Sequence, residues 1–257
     1  MSPTEQLIPV LKKLRMSGVL QTLDLRARQA ADDNLNFEEF LHLLLSDEVE
    51  RREAKQLQIR LRRAQFEHDK TLDDFDFTFN PKVPKATVVD LAACTFIERH
   101  ENVLLIGKSG VGKSHIAQAI GHRACRGGYS SLFVSASKLL SDLRASRADN
   151  SYDRRLARYC NPDLLVIDDL GLRPLRQDEP DDLYELIRMR YERGSMIITS
   201  NRDVKEWYPL FGDALMASAA LDRLLHHAHV IKLEGDSYRN PPRPRSTAAH
   251  EEQAVSP

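Results

Sequence analysis

The chain has 257 residues, of which 42% are hydrophobic and 29% charged, and its 37 basic and 38 acidic side chains cancel to a formal net charge of −1. That length suits one sizeable core plus a small second module, and a near-zero charge by itself points to no partner. Three widely spaced cysteines (Cys94, Cys125, Cys160) form no CxxC pair, which argues against a zinc ribbon or a disulfide framework; the longest apolar runs, such as 103–106, are far too short to span a bilayer, and no signal peptide is legible, so a cytoplasmic protein with reduced thiols is expected.

Residues 1–70 read as helical throughout. Asn36 with Glu39 three positions later forms a capping box, and Phe37, Phe40, Leu41, Leu44 and Leu45 recur as a stripe expected to face a core. Leu57, Leu61 and Ala64 continue an apolar face, and Arg51, Arg52, Lys55, Arg62 and Arg63 fall in an opposite arc of roughly 120° on a 3.6-residue helix. A one-sided basic stripe suits phosphate contact, although a solvated helix face would look the same.

Residues 71–85 break the pattern. Phe75, Phe77 and Phe79 alternate with polar residues ahead of Pro81 and Pro84, as in an extended connector that anchors its rings on a neighbouring surface. Residues 86–239 alternate between strands and helices, with short apolar runs at 103–106, 132–134, 164–167, 196–198 and 230–233. This alternation predicts an α/β domain with a parallel sheet covered on both faces. The helix after the first run should stop at Gly127 and Gly128. Residues 240–257 lack aromatic and aliphatic periodicity and are expected to be disordered.

Gly107, Lys108, Ser109, Gly110, Val111, Gly112, Lys113 and Ser114 match GxxxxGK[ST] completely, between a predicted strand and a predicted helix. Glycines let consecutive N–H groups turn toward phosphate oxygens, and the helix adds its positive end. Lys113 is expected on the β- and γ-phosphates of ATP and the Ser114 hydroxyl on Mg²⁺. A second metal group comes from the apolar strand that delivers Asp168 at its C-terminal end, where ligands sit in open α/β sheets; Asp169 is placed to orient or deprotonate an attacking water. Asn201, after the fourth strand, would reach the γ-phosphate if that strand lies beside the first.

Taken together, GKSGVGKSHIAQAIG, LLVIDDLG, IITSN and ALDRLLHHAHVIKLEGDSYR resemble the IstB family, AAA+ ATPases that help insertion sequences transpose and are related to DnaC-type helicase loaders. The resemblance runs over nearly the whole chain and includes the KTLDDFDF connector. It implies a sheet ordered 5-1-4-3-2, Walker roles for Lys113, Ser114, Asp168 and Asp169, and a sensor role for Asn201. It implies an arginine finger at Arg223, acting on ATP held by a neighbouring subunit of a homo-oligomer, and a second sensor at Arg239. Partners implied are DNA and the transposase encoded by the same element. Two departures stand out: Asp169 occupies a place where many AAA+ proteins carry Glu, which suggests slow hydrolysis, and little chain follows Arg239 for a full helical lid.

Within that resemblance the basic stripe of residues 51–63 reads as a DNA contact, as do Lys138 and Arg144 on the helix after the second strand. No base-reading motif is present, so binding largely independent of sequence is expected. His226, His227 and His229 are spaced i, i+1, i+3, do not share one helix face and have no cysteine or acid beside them, which disfavours a metal site. A helicase loader and a nucleotide-gated scaffold with negligible turnover are the alternative readings. A small-molecule kinase would need an acceptor site that the sequence does not indicate.

Overall fold

A computed structural model describes residues 3–68 and 70–239. The expectation of disorder for 240–257 lies outside those residues.

The chain opens with α1 (Pro3–Lys13), α2 (Ser17–Asp32) and α3 (Phe37–Ala64). The capping box at the head of α3 is formed: the Asn36 side chain accepts from Glu39 N–H, and Glu39 accepts from Asn36 N–H, each at 2.9 Å. The apolar stripe behind it is not the core face expected. Leu44 is buried with Val19 and Leu23, and Phe40 packs beside them, but Phe37, Leu41 and Leu45 are 93%, 54% and 43% exposed. Along this stretch α3 packs chiefly on α2, with Leu11 of α1 reaching the same cluster, so only a narrow strip of the stripe is covered. Glu48 ties the pair together: its carboxylate accepts the N–H groups of Gly18 and Val19, at the start of a helix whose N-cap residue, Met16, supplies no side-chain cap.

The connector is a series of turns and not an extended segment. It leads into α4 (Lys85–Ala92), α5 (Thr95–Glu98), β1 (Asn102–Gly107), α6 (Lys113–Arg126), β2 (Ser131–Ser135), α7 (Ala136–Ala148), α8 (Tyr152–Cys160), β3 (Leu164–Leu170), α9 (Glu179–Arg190), β4 (Ser195–Ser200), a 3-10 turn at Val204–Leu210, α10 (Ala214–Leu225) and β5 (Ala228–Leu233). As expected, α6 ends at Gly127, and Gly128 follows in the left-handed region.

All five strands are parallel, in the order β2-β3-β4-β1-β5. This is the 5-1-4-3-2 order expected, read from the other edge. Central strands β1, β3 and β4 are buried on both faces, which is why their sequences run apolar without alternation. Two apolar clusters fill the faces: one lies under α7 to α10, the other under α4 to α6. The C-terminal part of α3 packs along edge strand β2, which shields that edge from pairing with another chain.

α6 receives α3 along one face. Arg60 Nε donates to the Cys125 carbonyl at 2.8 Å, the Phe66 ring stacks on His122 at 4.3 Å, and the buried Gln118 side chain accepts the Glu67 N–H at 3.1 Å. At the opposite end of the sheet from the strand C-termini, buried Arg190 donates to the carbonyls of Tyr159, Cys160, Pro162, Asp163 and Ser195 and gathers the starts of β3 and β4.

Candidate active site

The loop between β1 and α6 builds one wall of the site. Gly110 and Gly112 adopt φ of 85° and 100°, a region that L side chains rarely enter. Close neighbours reinforce the requirement: a Cβ on Gly112 would stand 2.6 Å from the Phe75 ring, and one on Gly110 would overlap the Ser237 hydroxyl. Because Gly112 is the N-cap of α6, no side chain caps the helix, and its first-turn amides suit an anion.

Lys113 is 5% exposed, and its Nζ donates to the carbonyls of Gly107 and Lys108 at 2.8 Å each and to Asn201 Oδ1 at 2.6 Å. Burial pushes the Lys113 pKa down, the charges of Asp169 and Asp168 push it up, and Arg239 opposes them. Asn201 reaches Lys113 because β4 pairs directly with β1, Ile106 standing opposite Ser200.

Near its C-terminal end β3 slips in register against β4, between Ile167 and Leu170. Such a bulge re-aims side chains beside a site. It leaves Asp169 at φ 59°, a left-handed conformation in which Asp is far more common than Glu. Thr199 locks the pair: its hydroxyl donates to Asp168 Oδ1 at 2.6 Å and accepts the Asp169 N–H at 2.9 Å. Burial raises the Asp169 pKa, the Asp168 charge adds to that, and Lys113 and Arg239 work against it.

Gly110, Gly112, Lys113, Asp168, Asp169 and Asn201 line one cavity of about 630 Å³, together with Ser114, Tyr238 and Arg239; Gly107, Lys108 and Thr199 stand behind its wall. The segment after β5 closes over the loop, Tyr238 N–H donating to the Gly110 carbonyl at 3.0 Å. From the other side the connector supplies Phe75, edge-on to His115 at 5.2 Å, and Phe79, edge-on to Tyr238 at 4.9 Å.

Not every expected residue lies here. Arg223 is on the last turn of α10, outside the cavity lining, with its guanidinium donating to the Ala219 carbonyl at 2.8 Å and 5.8 Å from the Tyr184 ring. The basic stripe of α3 divides. Arg51 and Arg52 are engaged within the helical layer, half-buried Arg51 donating to the Ser17 carbonyl at 3.2 Å and exposed Arg52 pairing with Glu48 at 2.7 Å, whereas Lys55, Arg62 and Arg63 are exposed. Lys138 and Arg144 are exposed on α7, whose cap Ser135 lines the cavity. His226 faces the Tyr191 hydroxyl at 3.0 Å and His229 faces Glu101 at 2.7 Å.

Thr199, Asn80 and Gln118 were not singled out from the sequence. For Thr199 a signal existed: it lies on β4 two residues before Asn201, which follows the strand end directly. For Asn80 and Gln118 none did, since their partners are set by long-range packing.

The chain matches the model of the IstB-like ATP-binding protein family over residues 9–246. An insertion-sequence ATP-binding protein of Mycobacterium tuberculosis is 44% identical over 240 residues, covering 93% of this chain and 96% of that protein. The ATP-binding protein of insertion sequence IS21 from Pseudomonas aeruginosa is 37% identical, covering 90% and 87%. Among solved structures, the DnaC helicase loader superposes with a TM-score of 0.51 at 22% identity, over 58% of this chain and 87% of that one. DnaI superposes with a TM-score of 0.54 at 22% identity, over 66% and 90%. These two establish a shared fold. With the family model spanning nearly all of the sequence, the chain belongs to the IstB-like ATP-binding proteins and is a P-loop ATPase.

Proposed function

We propose that the protein is an ATP- and Mg²⁺-dependent switch that assembles as an oligomer on DNA and there recruits or activates the transposase of its own insertion sequence, in the cytoplasm. One observation carries this reading: Lys113, Ser114, Asp168, Asp169, Asn201 and Arg239 share one cavity, while Arg223 lies outside it. A site with this division of charge is completed by an arginine from a second copy, which makes hydrolysis dependent on assembly.

The chemistry follows from the side chains. The Ser114 hydroxyl and the Asp168 oxygen not engaged by Thr199 are hard oxygen donors and fit Mg²⁺. That ion, when bound, supplies neutralising charge beside the phosphates. Lys113 exchanges its two loop carbonyls for phosphate oxygens. Asp169, held by Thr199, accepts the proton of the attacking water, and Asn201 orients that water. Arg239 from the same chain and Arg223 from a neighbour stabilise the charge that develops on the transferred phosphoryl group.

For DNA, the exposed Lys55, Arg62 and Arg63 on α3 and Lys138 and Arg144 on α7 are the proposed phosphate contacts. Contacts of this kind give binding that ignores base sequence and weakens steeply with salt. Names of the relatives support an insertion-sequence setting, and hence the transposase as partner.

The test is DNA binding with and without ATP, paired with electron microscopy of the products. Nucleotide-dependent assemblies on DNA are expected. Identical weak binding in both conditions, with a persistent monomer, would overturn the proposal. Capture of a replicative helicase in place of the transposase would favour a loader.

A further inference from the structure

The strand order orients any triphosphate in the cavity. The reacting groups Asp168, Asp169 and Asn201 come from β3 and β4, on one side of β1. That leaves for the base the side toward β5, where the connector and the segment after β5 meet. Asn80 stands there and lines the cavity. It is 5% exposed, and its amide nitrogen is buried with no hydrogen-bond partner among the described residues.

A buried amide donor without an acceptor is rare in folded proteins and calls for an explanation. Packing holds Asn80 in place. The Val83 N–H donates to the Asn80 main-chain carbonyl at 3.0 Å, and Gly235, at φ 129°, lies so close that a Cβ there would overlap the Asn80 side-chain amide. The Phe79–Tyr238 pair beside it offers an apolar aromatic wall. A preorganised carboxamide next to aromatic rings is what a nucleobase edge requires.

We propose that Asn80 is the base-selecting residue of this site: its carboxamide donates to N7 and accepts from the N6 amino group of adenine. This deepens the reading of the cavity as an ATP site and rests on it. Guanine presents two acceptors, O6 and N7, on that edge, so the amide oxygen would face another oxygen.

The test measures equilibrium binding of ATP, GTP, 7-deaza-ATP and inorganic tripolyphosphate to the full chain. The unmodified protein should bind GTP and 7-deaza-ATP at least about tenfold more weakly than ATP, the discrimination expected of one good amide–base pair. Asn80→Ala should bind all three nucleotides within about threefold of one another and keep tripolyphosphate binding unchanged, since no phosphate contact is lost. Equal affinity of the unmodified protein for ATP and 7-deaza-ATP would overturn the proposal, as would full selectivity in Asn80→Ala. Should that variant fail to fold, seen as lost tripolyphosphate binding, the analogue series on the unmodified chain still decides. A different failure, tripolyphosphate binding unaffected by Lys113→Ala, would strike the triphosphate reading of the cavity and not Asn80.

Discussion

Thr199 shows how much one hydroxyl can organise. It holds the carboxylate of Asp168 and the backbone of Asp169, two groups with separate proposed tasks. Thr199→Val keeps the shape and removes both bonds, leaving the Asp169 N–H without its partner at a cost of about 1–3 kcal/mol. A lower melting temperature and slower ATP hydrolysis are expected, with metal-free nucleotide affinity nearly unchanged; unaltered hydrolysis would remove Thr199 from the site's machinery. Asp169→Asn is the sharper probe. Asn tolerates the left-handed backbone as well as Asp does, so ATP binding should persist and ATP-bound assemblies on DNA should last longer. Turnover should fall by about 10²-fold or more, the usual worth of a positioned base. Normal turnover in that variant would refute the assignment. The same backbone argument gives a local reason for Asp in place of the longer Glu: the bulge that aims this residue puts it where Glu is disfavoured.

At the scale of elements, the contact between α3 and α6 couples the helical layer to the nucleotide loop, because α6 begins with Lys113 and Ser114. Phe66 occupies the notch at Gly121, where an added Cβ would lie 2.7 Å from the ring. Gly121→Ala gains about 1 kcal/mol of helix propensity and loses about 1–3 kcal/mol to overpacking. The packing loss should win, seen as a lower melting temperature and faster proteolysis between α3 and α4. Added stability would show that Phe66 moves aside at no cost. The α2–α3 contact carries a pH signature. The Arg26 hydrogen bond holds the Asp47 carboxyl at about 2, down from the ordinary 3.8. A depressed carboxyl stabilises the fold above its unfolded value and loses that contribution as pH falls through the folded one. The helical layer should therefore loosen between pH 3.8 and about 2, and Asp47→Asn should abolish that part of the acid transition in circular dichroism.

For the whole molecule, the consequential position is that of Arg223, away from its own chain's cavity. If it acts on a neighbour, Lys113→Ala and Arg223→Ala should each lose about 10³-fold or more in turnover when pure, as expected for an arginine finger. Mixing the two should restore part of the activity, since some interfaces then pair an intact loop with an intact arginine. No recovery on mixing, or a fully active Arg223→Ala, would place the arginine elsewhere. The exposed Phe37, Leu41 and Leu45 belong to the same scale. Their spacing carried the signal of a core-facing helix, yet spacing reports which residues share a face and not whether anything covers it.

By itself the sequence determined the parts whose physics is local. Gly110, Gly112, Lys113 and Ser114 are consecutive or nearly so, and the Asn36 capping box and the Gly127 stop are each closed within a few residues. Runs of buried strand residues announced a parallel sheet, because strands covered on both faces cannot alternate. The closing stretch from Ala220 to Arg239 tied the chain to its family. What only the tertiary structure decided depends on contacts between distant segments: the Lys113–Asn201 contact, the Thr199 lock on two aspartates, the burial of Asn80 against Gly235, and the bond from Arg51 to the Ser17 carbonyl. In each case the deciding partner is supplied by the strand order or by a neighbouring helix, and no periodicity along one segment encodes which neighbour it will meet.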